Sequence, residues 1–242
     1  LTMSSSSTWN YIPPSDASGV SRWSFTFKAL EPMKQLLIIG AGDLAETVFD
    51  LANRELGVGV AGFAVHAAHR SRSLVCGLPV VDLEGIEESH PPSAYDLFVA
   101  IGYKDGNRTR QRLVRWAEGL GYNLPALVSP DATIQAGDLA SNVCVAAGAI
   151  VQPYAQIGTA TLIRAGAIIS HHGRIGEACY IGPGSLMGGR VDIGERVFIG
   201  LGSRIRDGIK ITDDVMIAMS ASVTKDIVNS GKYAGSPARK TA

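Results

Sequence analysis

Two adjacent histidines, His171 and His172, stand in the run IISHHGRIGEACYIGPGSLMGGRV at residues 168–191. Imidazole titrates at about pH 6.5, so near neutrality it can take a proton from a hydroxyl or ammonium group that is otherwise a poor nucleophile. A histidine pair of arbitrary origin is also simply a solvated surface pair. A second run able to do chemistry is GAGDLA, residues 40–45. Glycines between a strand and a helix let backbone N–H groups cradle phosphate at the helix N-terminus, although tight turns of this kind also use glycine for packing. A dinucleotide enzyme places an acid near the end of the second strand to grip the ribose; Val65 and His66 hold that place here, which disfavours NAD.

The elements around the histidines are set by a period of six. From Leu139 an aliphatic residue or Met recurs at every sixth position, through Val145, Val151 and onward to Val223, without an insertion. Four residues after each comes a small or β-branched residue, from Val143 to Ile227. Such a hexapeptide repeat is the signature of a parallel β-helix, each unit being one short strand and one corner. The corners IGTA, IGEA and IGER recur at Ile157, Ile175 and Ile193, so three units make a coil and fifteen units make five. Stacked at about 4.8 Å per coil, they form a core prism about 24 Å long. PALVSPDATI before the repeat and YAGSPARKTA after it are its expected caps.

In this register His171 is third in its unit, in a column with Pro153, Gly189, Asp207 and Lys225. His172 shares a column with Tyr154, Arg190, Gly208 and Asp226. Polar and conformationally special occupants place both histidines outside the prism.

The first half has a different grammar. QLLIIG reads as a buried strand, AGDLAETVFDLANREL as a helix, GVGVAGFAV and DLFVAIG as strands, and NRTRQRLVRWAEGLG as a helix ending near Gly121. This is a small α/β domain over residues 33–125, too short for a full doubly wound fold. The β-helix follows over residues 126–242. Residues 1–32, with SSSST and PPSDASG and no sustained period, read as a poorly ordered extension, and Met33 reads as a natural start.

The bulk composition narrows the function classes. The 242 residues are 46% hydrophobic and 18% charged, in the range of globular proteins. The 22 basic residues balance the 22 acidic ones, so no global field recruits nucleic acid or an anionic membrane. No run approaches the roughly 18 apolar residues of a membrane helix. The three cysteines, Cys76, Cys144 and Cys179, form no C-x-x-C pair, which points to a reducing, cytoplasmic setting without disulfides or a thiolate metal site.

With IIGAGDLAETV, AIGYKDGNRTR, the uninterrupted hexapeptides, SHHGRIG and a closing AGSPARK, the chain resembles the left-handed β-helix sugar acetyltransferases. Within them it resembles the group of bacillosamine and perosamine N-acetyltransferases and sialic acid O-acetyltransferases. The resemblance spans about residues 34–240. It implies a Rossmann-like nucleotide domain, a left-handed β-helix, homotrimeric assembly and acetyl-CoA as co-substrate. It implies that His171 is the general base, in a cleft between subunits, with His172 standing where many relatives carry an orienting acid. It also implies that Gly189 lets the thioester reach a backbone N–H that stabilises the oxyanion. Coenzyme contacts are expected at Gly189, Arg190, Gly208, Ala218 and Lys225. A nucleotide-linked sugar is expected at Gly40, Gly42, Asp43, Gly102, Tyr103, Asn107 and Arg108. No metal is expected: a zinc hydratase of this architecture needs three histidine ligands, and the repeat holds two. An acyltransferase acting on a non-nucleotide molecule or polysaccharide, and a non-catalytic trimeric scaffold, are the alternatives.

Overall fold

A computed structural model describes residues 34–241; the extension read over residues 1–32 lies outside them. The described residues belong to one compact unit. Its first element is a five-stranded sheet of β1 (Gln35–Ile39), β2 (Val60–Val65), β3 (Leu74–Val75), β4 (Leu78–Asp82) and β5 (Tyr95–Val99), in the order β3-β4-β2-β1-β5. All neighbours are parallel except β3 and β4. Helix α1 (Asp43–Asp50) continues into a π-helical turn, Leu51–Glu55; α2 (Ile86–Ser89) is a single turn and α3 (Arg108–Gly119) is the longest helix among the described residues.

The QLLII run is apolar throughout because both faces of β1 are covered. Leu36 and Ile38 pack with Ala45, Val48 and Leu51 on the α1 side. Leu37 and Ile39 pack with Leu113, Val114 and Ala117 of α3 on the other. The β3–β4 hairpin was not legible in sequence, since Pro79 argues against a strand. It is tolerated because the pairing of β4 with β2 begins one residue later, at Val80.

From Leu127 onward the chain winds through three sheets of eight, six and four strands, parallel except for the last strand of the first, an arrangement that fits a left-handed β-helix. The first face contains Cys144–Val145, Leu162–Ile163, Tyr180–Ile181 and Phe198–Ile199; the second contains Ile150–Val151, Ile168–Ile169, Leu186–Met187 and Arg204–Ile205; the third contains Gln156–Ile157, Arg174–Ile175, Asp192–Ile193 and Lys210–Ile211. In each pair the second residue is buried, and these residues with their partners four positions on form the prism core. Three polar members of that core are satisfied internally. Thr161 Oγ1 donates to Gly176 O, Ser185 Oγ to Gly182 O and Ser203 Oγ to Ala218 O.

The expected N-terminal cap is itself a coil. Leu127–Val128 pairs with Cys144–Val145, and Thr133–Ile134 with Ile150–Val151. Val128 meets Val145 and Ile134 meets Val151, one residue short of the eighteen-residue step, so the strict period of six does not extend to them. At the other end Ile217 meets Tyr233, two residues short, and Arg239–Lys240 turns back antiparallel to close the stack.

Candidate functional site

His171 and His172 occupy the corner that follows the second-face strand Ile168–Ile169. The corner is tied to its neighbours coil by coil. His172 N–H donates to Pro153 O at 3.1 Å, and Arg190 N–H donates to His171 O at 3.0 Å. His171 N–H has no backbone acceptor in this ladder; it donates to Gln152 Oε1 at 3.0 Å. His172 adopts φ 58°, a left-handed conformation shared by Tyr154 below it and Arg190 above it. This turn swings both imidazoles outward, and both are exposed.

The rings are not independent. His171 Nδ1 lies 3.1 Å from His172 Nδ1, with the rings edge to face. Two imidazole nitrogens at that distance share one proton, so one ring donates and the other accepts. When His171 is the donor, its Nε2 is unprotonated and free to act as a base. When His172 is the donor, neutral His171 carries its proton on Nε2 and cannot. His172 is packed in turn against the exposed ring of Tyr154, with centroids 4.8 Å apart.

Gly189 lies one coil above His171, and the His171 ring covers it. A Cβ on Gly189 would stand 2.6 Å from His171 Cε1 and 2.8 Å from Nε2. The structure adds a packing reason for this glycine. Its missing side chain makes room for the imidazole, and its N–H already donates to Asp207 Oδ1 at 3.0 Å. Gly188 is constrained likewise, because a Cβ there would collide with the Asp207 carboxylate. The MGGR doublet is therefore a packing requirement of the residues directly below and above it.

Of the expected coenzyme contacts, Gly189, Arg190, Gly208 and Lys225 lie on the histidine corner, and the last three are exposed. Arg206, exposed on the same corner, was missed. Ala218 is not with them. It follows the first-face strand Val215–Ile217, on a different corner of the prism.

The expected sugar-nucleotide residues divide. Gly40, Gly42 and Asp43 end β1 and open α1, while Gly102 and Tyr103 follow β5, which pairs directly with β1. These share one sheet edge. Gly40 requires its glycine, since at φ 125° a Cβ would meet Ala100 O at 2.8 Å. Asp43 and Glu46 place two acids in the first turn of α1. Tyr103 packs against Phe198 of the β-helix, ring centroids 4.3 Å apart and the planes tilted by 41°. Asn107 is fully buried with both amide atoms unpartnered, and Arg108 is drawn away by an ion pair with Asp214 at 2.7 Å. The fold thus does not present these last two residues at the edge.

Arg110 joins the two halves. Fully buried, it donates from Nε to Ala160 O, from Nη1 to Ile101 O and Gly102 O, and from Nη2 to Ala178 O and Cys179 O. Burial pushes its guanidinium down to about 10. The signal for it in sequence is a charged residue at the start of the apolar stripe Leu113, Val114 and Ala117. Tyr154 and Asp207 were visible as members of the histidine columns, whereas Gln152 and Arg206 carried no signal of their own.

The cysteines offer no nucleophile at this corner. Burial raises the Cys144 thiol to about 11 and the Cys179 thiol to about 12, so both stay protonated near neutral pH. Cys76 lies in the turn of the β3–β4 hairpin, and burial with Glu46 and Asp50 nearby raises it too. Among the described residues no three His, Cys, Asp or Glu side chains are grouped to hold a metal, and no helix is long and apolar enough to cross a membrane.

No protein-family model matches the sequence, and no curated protein matches it. Solved structures do. Perosamine N-acetyltransferase from Caulobacter crescentus, in complex with CoA and GDP-perosamine, is 32% identical with a TM-score of 0.79, over 87% of this chain and 99% of that one. A histidine-to-asparagine variant of that enzyme in the same complex is matched equally well. The acetyltransferase domain of PglB from Neisseria gonorrhoeae, in complex with acetyl coenzyme A, is 28% identical with a TM-score of 0.78, over 87% of this chain and all of that one. WeeI from Acinetobacter baumannii, at 21% identity and a TM-score of 0.75, shares the fold.

Proposed function

This chain belongs to the hexapeptide-repeat sugar acetyltransferases, the family of perosamine N-acetyltransferase, and from that premise we propose that it transfers the acetyl group of acetyl-CoA to the amine of a nucleotide-linked sugar. The enzyme is an acyltransferase. The observation that carries the reading is the histidine pair: His171 bonded through Nδ1 to His172, stacked over a glycine at an exposed corner.

In the productive tautomer His172 accepts at Nδ1 and carries its own proton on Nε2. His171 donates through Nδ1 and offers the Nε2 lone pair to the acceptor. As the amine attacks the thioester carbonyl, His171 removes its proton and retains the bond to His172, so the imidazolium forms without losing its brace. The thiolate of CoA leaves. Raised thiol pKa values and burial at Cys144 and Cys179 favour this direct transfer over an acyl-cysteine intermediate. Arg190, Arg206 and Lys225 line the corner as cations suited to the phosphates of the coenzyme.

The Rossmann-like domain, residues 33–125, takes the nucleotide along the edge formed by Gly40, Gly42, Asp43, Gly102 and Tyr103. Gly42 opens α1, and the N–H groups of that turn supply phosphate donors, although Asp43 and Glu46 limit how much charge it attracts. Remote binding of this kind orients the sugar at His171.

The reading includes a homotrimer. The first face is covered by the α/β sheet, through Cys144, Leu162 and Tyr180. The third face turns Gln156, Arg174, Asp192 and Lys210 outward, with Arg174 and Asp192 paired at 2.9 Å. Of the other two faces, the second carries an apolar outward row, Ile150, Ile168 and Leu186.

The test is a mass-spectrometric screen of UDP-, GDP- and dTDP-linked sugars with acetyl-CoA. The expected outcome is a gain of one acetyl group that resists mild base, as an amide does. Base-labile product would establish a hydroxyl acceptor, and acetylation of free sugars or polymers as efficient as any nucleotide sugar would overturn the nucleotide-linked reading.

A further inference from the structure

At the corner that holds His171, a side-chain carboxylate already takes the Gly189 N–H. Along this corner the peptide ladder satisfies one N–H per coil: His172 to Pro153 O, Arg190 to His171 O, and Gly208 to Gly189 O. The N–H groups of His171 and Gly189 lie outside that ladder, and side chains satisfy both, Gln152 for the first and Asp207 for the second. The two caps differ in charge. Gln152 presents a neutral amide oxygen, whereas Asp207 presents a carboxylate oxygen 3.0 Å from Gly189 N. Asp207 is itself exposed, and its carboxylate turns back onto the glycine although Lys225 occupies the next position of its column. Between the His171 ring below and this carboxylate above, Gly189 is buried.

We propose that Asp207 is a displaceable placeholder on the acyl-oxygen site, holding the Gly189 N–H until the thioester oxygen takes it. The inference rests on the reading that acetyl-CoA binds at this corner with its carbonyl towards Gly189. A carboxylate oxygen and a thioester oxygen compete for one N–H, and negative charge held on that donor would oppose a developing oxyanion beside it. Asp207 must therefore rotate away when the acyl group arrives. Its exposed position leaves it free to do so, and Lys225 in the same column can receive the charge. CoA has no acyl oxygen and leaves the Asp207 bond in place. The predicted signature is discrimination between the two coenzyme forms, which a purely structural brace for the MGGR turn would not produce.

The experiment measures dissociation constants of acetyl-CoA and CoA by calorimetry on the full chain without acceptor sugar, in wild type, Asp207→Ala and Asp207→Asn. Removing the competitor should tighten acetyl-CoA about 3- to 10-fold, the worth of one hydrogen bond, with CoA affinity unchanged. Asp207→Asn, which keeps an oxygen acceptor without the charge, should fall between wild type and Asp207→Ala, and it decides the matter if the alanine variant does not fold. Equal shifts for both coenzyme forms, no shift, or weaker acetyl-CoA binding would overturn the proposal while leaving the acetyltransferase reading intact. Failure of wild type to bind either form would overturn the placement of the donor at this corner, and the placeholder with it.

Discussion

Two corners of the same prism obey one backbone rule and end in opposite roles. At the histidine corner Tyr154, His172 and Arg190 adopt φ of 65°, 58° and 57°. At the corner between the third and first faces Ala160, Ala178, Arg196 and Asp214 adopt 61°, 54°, 57° and 57°. Each turn throws one side chain outward and leaves carbonyls at the rim. Under α3 the rim is consumed: Arg110 takes the carbonyls of Ala160 and Ala178, Gln111 reaches Glu177 and Glu195, and Arg108 pairs with Asp214. At the histidine corner of this chain the same geometry stands open, with the imidazoles exposed. The repeat builds a row of equivalent turns, and the neighbour packed on each one decides whether it serves as a docking surface or as a reaction site.

The strongest attempt to break that contrast removes the base. His171→Ala should cut acetyl-transfer turnover by about 10²- to 10⁴-fold while leaving the melting temperature nearly unchanged, because an exposed corner contributes little to the core. Near-normal turnover in steady-state assays would remove His171 from the chemistry.

Arg110→Ala tests the covered corner and should do the reverse. It leaves five carbonyl acceptors without their buried donor, so denaturant unfolding should show a loss of about 3–5 kcal/mol. Because Arg110 also holds Ile101 O and Gly102 O, acceptor KM should rise more than acetyl-CoA KM in any variant that remains folded. A silent substitution would show that the carbonyls find other donors.

His172→Ala sharpens the contrast within the open corner. Water can replace an imidazole acceptor in part, so the expected loss is about tenfold in kcat, well short of that for His171→Ala. Equal losses would make the pair a single unit.

The smallest effect concerns Asp214, whose carboxyl is held below its ordinary 3.8, first by the hydrogen bond from Arg196 and further by the Arg196 and Arg108 charges. A depressed folded value stabilises the fold above the unfolded pKa, and that stability is lost as pH falls through the folded one. Asp214→Asn should therefore cost about 1 kcal/mol at pH 7. Its deficit against wild type should close as pH drops below about 3.8. A deficit independent of pH would point to packing instead.

Much of the scaffold was legible before any coordinates. Val145, Val151, Ile157 and their successors recur at sixes because each fills the prism once per unit, and all are buried. The outward placement of His171 and His172 followed from the same count. Reasoning from columns alone gave only part of the account of Gly189, because a column states which residues stack and not which atoms touch: the His171 ring below and the Asp207 carboxylate above were adjacent in the column, but their contacts with the glycine were not legible. Asn107 and Arg108 were expected at the nucleotide edge from the resemblance, and left-handed turns at Asp105, Gly106 and Asn107 carry one into the interior and the other to an ion pair with Asp214 of the β-helix. The first coil was hidden by a single missing residue, which breaks a period without breaking the ladder.

By itself, then, the sequence determined the backbone repeat and the side of it on which each residue falls, since strand period and coil length are local properties written into consecutive residues. Only the tertiary structure decided which corner α3 would cover, that a buried Arg110 would bind the halves together, and that the Gly189 N–H would face a carboxylate. Those outcomes depend on contacts between residues that no local period relates, such as Arg110 with Ala178, 68 positions apart.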